Sequence, residues 1–459
     1  MAAGVQARGA TGEASQRTGT GGSPLAKLSR AGVLGLVPAL ILVSHFFFGA
    51  TLDLPALVMF AGLCACLAAA LCVPSSRSDL AGISPVWLPL GLFAAVLGVA
   101  ALTLTPAVPG GPHPIWAWAG MPGASTLNRS ATTLEIIKLL GLAATFVLGC
   151  LLGARTERAR RVFSLLLGLG GLYALISLIL FLSGAQLAGG HGRLGGGFYS
   201  ANVAGTQFGV LVLMATAWAV RQWNQGRSGD VVARLTDMAP VLALLLLFGV
   251  CLLLTASRGG ISATVLALTL FLGWSAFDNR QARWPLMIVG ILIILIAALV
   301  LIQGNGLFAD RFGDIGAGDA TRSAVAQAHW RAFLGSPLFG YGLGSYPEVN
   351  NQIMTAQNAA ALSVSVVQHN AYLQWLEEAG IVGAAPMFVL IAVILGFTAW
   401  RAFRRPRNRT LVAGLLAASV VVLLHAAVDV SLNTPSFEAF WTLILGLGFS
   451  LSQASSRRH

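Results

Sequence analysis

The chain has 459 residues, of which 56% are hydrophobic and 10% charged. A soluble globular domain carries roughly a quarter charged residues, so this composition excludes one. With apolar runs of about 20 residues, the chain reads as an all-α, polytopic integral membrane protein. A net charge of +12 admits a nucleic-acid partner, but the placement of that charge removes the need for one.

Residues 1–26 are rich in Gly, Ala, Ser, Thr and Arg and read as a disordered cytoplasmic tail. About twelve spans follow, near 31–50, 54–73, 84–105, 131–153, 162–183, 201–220, 239–256, 259–277, 285–303, 380–400, 410–430 and 438–453. The first run lies too far in, and is too long, for a cleavable signal peptide. With the N-terminus inside, 21 of the 28 Lys and Arg residues fall on cytoplasmic segments. This is the alternation that the positive-inside rule demands. The division is a tail at 1–26, nine spans within 27–303, a large outer segment at 304–379, three spans within 380–453 and a tail at 454–459.

Seven basic residues remain. Lys138 stands inside the fourth span at i+3 from Glu135, the spacing of an ion pair. The other six are Arg129, Arg193, Arg258, Arg311, Arg322 and Arg331, all on the outer side, where orientation did not require them. Residues 106–130, rich in Pro, Gly and Trp, suit a lip at the membrane surface. The glycine-dense run 184–200 carries Arg193 and leads to Asn202 in the first turn of the sixth span. In the short turn Ala256-Ser257-Arg258-Gly259-Gly260, Ser257 is a candidate N-cap and Arg258 opens the eighth span. Unpaired N–H groups and the helix dipole favour an anion there, and an arginine adds planar, bidentate recognition of phosphate. Arg193, Arg258 and Arg322 together would suit a diphosphate. The bland alternative is lipid-headgroup contact or a surface pair such as Arg322 with Asp319.

The segment 304–379 is too long for a plain connection. It holds good helix formers from Thr321 to Leu334, closed by Gly335-Ser-Pro337, and then a tight loop over Phe339–Tyr346. It ends in His369-Asn370, nine residues, Gly380, two residues and Gly383. On a continuous helix Gly380 and Gly383 each fall within roughly 40° of His369. That face would carry a proton-exchanging group and two glycines open to another backbone. No carboxylate or second histidine stands at metal-ligand spacing from His369, so no metal is expected. Glu377 lies about 80° round the helix from it, and Asp429 is unassigned. His45 and His425, in apolar runs, and the terminal His459 carry no signal. The five cysteines all lie in apolar runs and read as small buried hydrophobes.

The His369-Asn370…Gly380…Gly383 pattern, at the end of a large outer segment, resembles the signature of the O-antigen ligase and polymerase superfamily. Ser257-Arg258-Gly259, the Arg193…Asn202 stretch, Arg322 and the Pro337…Gly342 loop are similar to the family in order and spacing. Before the sixth span the family often carries Asn-Pro-Asn, and here the residues are Ser200-Ala201-Asn202. The resemblance covers roughly residues 190–440. It implies a GT-C-like, metal-independent, inverting glycosyltransferase of the bacterial inner membrane, without cofactor and with its active site facing the periplasm. The donor would be a glycan on undecaprenyl diphosphate and the acceptor lipid A–core, which is the ligase reading. In the polymerase reading the acceptor is a growing O-antigen, capsule or exopolysaccharide chain. His369 would act on the acceptor hydroxyl, and Arg193, Arg258 and Arg322 would hold the diphosphate, supported by Asn202, Asn370, Gly380 and Gly383. A transporter or flippase is the rival from another class. Such folds place ionisable groups near the bilayer midplane and show paired halves, and no clear halving is visible here.

Overall fold

In a computed structural model, residues 24–186, 192–225, 231–278, 315–363, 365, 367–404 and 407–454 are described. The protein is all-α. Its helices are α1 Pro24–His45, α2 Asp53–Leu71, α3 Pro74–Ala81, α4 Trp87–Thr103, α5 Pro114–Trp118, α6 Arg129–Gly153, α7 Thr156–Leu182, α8 Ala201–Gln225, α9 Val231–Leu254 and α10 Arg258–Asp278. There follow α11 Ile315–Gly335, α12 Tyr346–Gln352, α13 Ala359–Leu362, α14 Ala371–Arg404, α15 Arg409–His425 and α16 Pro435–Leu451, with a 3₁₀ turn Ser431–Asn433 before α16. Seven of these, within α2, α6, α7, α8, α9, α10 and α14, are long and apolar enough to cross a membrane, and four shorter apolar helices lie in α1, α4, α15 and α16. They coincide in order with eleven of the twelve expected spans. The span at 285–303, the tail before residue 24, His191, Arg311 and His459 lie outside the described residues, as does the Asp319 side chain.

Helix α8 is the centre of the bundle, buried along 94% of its apolar window, and packs against α9, α10 and α15. The tightest pairing is α6 with α16. Gly149 and Gly153, one turn apart on α6, lie against the backbone of Leu443, Gly446 and Leu447, so the two helices touch main chain to main chain. In a lipid environment this close approach replaces the hydrophobic drive that association has in water. Aromatic rings extend the core, with Tyr173 of α7 stacked on Phe208 of α8 at 5.5 Å.

The charges separate by end. At the end opposite His369, Arg155 and Arg158 clasp Asp79 at 3.1 and 2.8 Å. There too Arg409 meets Asp278 at 2.6 Å, and Arg401 and Arg404 lie over Trp400. These are anchoring contacts, as the charge alternation required. Lys138 makes its expected pair with Glu135 at 2.7 Å, with Asp53 at 4.0 Å. Cys66, Cys150 and Cys251 are buried, whereas Cys64 and Cys72 are exposed. The uniform burial expected of the cysteines therefore fails at two positions on the outward side of α2. In the 106–130 segment, α5 exposes Trp118 and Ile115, while Trp116 turns in to bond Thr126 O at 2.8 Å and to lie under Arg129 at 4.3 Å.

Candidate active site

Arg193 precedes α8 in a segment rich in glycine, where mobility would be expected, yet the chain there is pinned. The Leu194 N–H donates to Leu254 O at 2.9 Å, at the end of α9. Gln186 braces the run from both sides: its amide donates to Arg193 O at 3.0 Å and its carbonyl accepts from Gly195 N at 2.8 Å. The Arg193 guanidinium donates to Thr255 O at 2.6 Å and to Asn202 Oδ1 at 2.7 Å. The Arg193…Asn202 spacing is thus a direct contact, closed over the turn that carries Arg258.

That turn is tight because Ala256 takes a left-handed conformation, φ 48°. Ser257 Oγ accepts from Gly260 N at 3.2 Å and caps α10 as its position foretold. Arg258 is the first residue of α10, at the end where a helix presents free N–H groups and partial positive charge. Gly205 of α8 lies against Ser257 and Gly260, which brings the starts of the two helices together.

His369 stands in the turn before α14, not on the helix, and the shared face with Gly380 and Gly383 does not form. Asn370 caps α14 by accepting from Leu373 N at 3.1 Å. Ala371 N bonds Ala426 O at 3.0 Å, and Asn433 donates to Gln368 O at 3.3 Å and to Gln374 Oε1 at 2.8 Å. The His369 turn is therefore strapped to the C-terminal end of α15. Nδ1 of His369 is buried without a hydrogen-bond partner. Burial, and next the Arg322 charge, hold its proton affinity below the ordinary histidine value, while Asp429 pulls the other way. At neutral pH the ring is neutral and able to accept a proton.

Gly380 breaks α14, with φ 61° and ψ −177°, a region that only glycine enters readily. The backbone of Leu338 and Phe339 fills the space where its Cβ would stand. The Pro337–Gly342 loop then pairs with the opened helix: Tyr341 N and Gly342 N donate to Glu377 O and Glu378 O at 3.0 and 2.8 Å. In return Ile381 N and Val382 N donate to Pro337 O and Leu338 O at 2.8 and 3.0 Å. Gly383 rests on Val99 of α4. Both glycines hold the junction between the segment and the bundle. Glu377 does not reach His369; it bonds His329 of α11 at 2.7 Å, both side chains fully buried. The far ring nitrogen meets Asn350 Oδ1 at 3.1 Å, and the Asn350 amide donates to Leu362 O and Ser365 O. One His329 nitrogen thus pairs with the Glu377 carboxyl and the other with Asn350 Oδ1, under the stacked ring of Tyr346 at 4.4 Å.

Two side chains without a sequence role join these parts. His425 ends α15, and its Nδ1 lies 2.7 Å from Thr206 Oγ1, one turn beyond Asn202 on α8. Its ring abuts Gly259, next to Arg258. Asp429 is fully buried with Oδ2 3.8 Å from the same Nδ1, and neither carboxylate oxygen has a hydrogen bond. Arg322 and Asp429 both lie within electrostatic reach of His369 and of His425. The i, i+4 spacing of His425 and Asp429 was the available signal, since it sets both on one face at the end of a span.

No curated protein matches the chain. Residues 242–388 match the family model described as O-antigen ligase. The matched window opens in α9 and closes in α14, so it encloses Arg258, Arg322, His369, Gly380 and Gly383 and leaves out Arg193, Asn202, His425 and Asp429. By that match, residues 242–388, about a third of the chain, are similar to the O-antigen ligase family.

Proposed function

We propose that the protein is an inverting, metal-independent glycosyltransferase acting at the outer face of a bacterial inner membrane. It moves a glycan from undecaprenyl diphosphate to a sugar hydroxyl, with lipid A–core as acceptor. The observation that carries this reading is a half-buried histidine, its Nδ1 buried and unbonded, set at the same end of the bundle as an arginine-bearing helix N-terminus, with Arg322 close enough to act on it. His369 takes the proton of the acceptor hydroxyl as that oxygen attacks the anomeric carbon. The bond from that carbon to the diphosphate oxygen breaks on the opposite face, and the diphosphate leaves with its electron pair. Arg258, the positive end of the α10 dipole, Arg193 and Arg322 are the groups that stabilise this developing charge in the proposed reaction. Removing one such group typically costs 10²- to 10³-fold in rate.

The test is His369→Ala in purified protein, with a synthetic undecaprenyl-diphosphate glycan, EDTA, and either lipid A–core or a free repeat unit as acceptor. The expected result is EDTA-resistant transfer by the parent, abolished in the variant while donor binding persists. Use of the repeat unit instead of lipid A–core would replace the ligase reading with the polymerase. Unchanged transfer by the variant would overturn the assignment of His369.

A further inference from the structure

His425 is outside the family match and takes no part in the mechanism above, yet it is 2% exposed and sits between α8, α10 and Asp429. Its hydrogen bonding fixes its orientation. The Thr206 oxygen lies 3.3 Å from Asn202 O and 2.7 Å from Nδ1; with its proton on Asn202 O, it accepts from Nδ1–H. Nε2 then faces the start of α10. A Cβ on Gly259 would lie 2.7 Å from both Nε2 and Cδ2, so glycine at this position is what lets the ring reach the helix terminus. Nε2 has no hydrogen-bond partner among the described residues. On the opposite side of the ring stands the Asp429 carboxylate, fully buried with both oxygens unbonded. A buried, unpartnered carboxylate is costly unless a cation faces it.

We propose that His425 is a further ligand of the donor diphosphate: it takes up one proton when the diphosphate binds, and donates Nε2–H to a phosphate oxygen at the N-terminus of α10. Asp429 holds the imidazolium from the Nδ1 side. The empty site keeps the ring neutral beside the positive helix end, and the filled site charges it. The inference rests on the diphosphate reading of the site. The charged or titratable groups around the ring are Asp429 on its own turn, Arg258 on α10, Arg193 beside Asn202 of α8, His369 before α14 and Arg322 on α11. Of these residue types histidine alone ordinarily changes charge between pH 5 and 8. A diphosphate diester does not titrate there, so once His369 is replaced the linked proton belongs to the His425–Asp429 pair, and the His425→Gln change assigns it to the ring.

The experiment uses full-length His369→Gln protein in detergent and an undecaprenyl-diphosphate glycan as probe. Binding is measured by calorimetry at pH 7 in two buffers of different ionisation enthalpy, and by affinity from pH 5.5 to 8.5. We expect up to one proton to be taken up, with affinity rising as pH falls. His369→Gln/His425→Gln should bind about tenfold more weakly at pH 6 and show neither uptake nor pH dependence. A residue that only packed would leave proton uptake untouched. Binding without proton uptake by the His369→Gln protein, which needs no change at His425, overturns the proposal. The same uptake and affinity in the double variant overturn it also. Failure of the His369→Gln protein to bind at any pH fells the diphosphate reading and this inference together.

Discussion

Two glycines of α14 take the same substitution with opposite expected signs. Gly380→Ala places a methyl group where the backbone of Leu338 and Phe339 already stands, at φ 61° and ψ −177°. The backbone conformation alone costs about 1–3 kcal/mol for a residue with a Cβ. If the loop retreats, the bonds from Ile381 N and Val382 N to Pro337 O and Leu338 O, 2.8 and 3.0 Å, are strained or lost at about 1 kcal/mol each. The sum is about 3–5 kcal/mol. Gly396, in the same helix, has nothing within 4 Å of its virtual Cβ, so Gly396→Ala should stabilise by about 0.5–1 kcal/mol. Thermal unfolding of both variants in one detergent, followed by helical circular dichroism, reads the difference directly. Transfer activity should fall only in Gly380→Ala, because the loop it displaces fixes the segment that carries Arg322. Equal shifts at the two positions would refute the account of Gly380 as a junction and reduce it to an ordinary helical glycine.

Arg322 is expected to tune the base. His369 is active when neutral, so kcat/KM is retained above its pKa and lost as pH falls through it. That pKa is lowered by burial and by Arg322, so Arg322→Gln should move the acid limb of the profile to higher pH, and a limb that stays or moves down would contradict the coupling. At the His329–Glu377 pair, 0% exposed on both sides, His329→Ala should cost about 3–5 kcal/mol by leaving a buried carboxyl group without its partner. A chemical-denaturation midpoint close to that of the parent would show the pair to be dispensable. Ala256→Gly relieves a left-handed alanine, φ 48°, worth about 1–2 kcal/mol, and should raise the unfolding temperature with transfer unchanged.

The helices were legible because a bilayer prescribes their length and composition, and a run such as 131–153 satisfies both without reference to any neighbour. The Ser257 cap was legible for a related reason, since a cap is a contact within four residues. What sequence spacing could not carry was anything decided across the fold. A regular helix through His369 and Gly380 was the natural extrapolation of a 3.6-residue period, but Asn370 caps the helix after His369, and the Pro337–Gly342 loop opens it at Gly380. Glu377 was weighed against His369, eight positions away, when its partner was His329, 48 positions away. His425 was passed over for lying in an apolar run. Yet an apolar run makes a polar side chain at its end more informative, since the chain has no solvation reason to place one there. Four polar groups meet on that single ring or beside it: Thr206 from α8, the start of α10 at Gly259, Asp429 from its own turn, and His369, which shares the fields of Asp429 and Arg322. Each comes from a different element, so no local pattern in any one of them announces the others. The site is therefore a property of where helices end rather than of any motif, and the matched family window holds His369 and Arg258 but not His425.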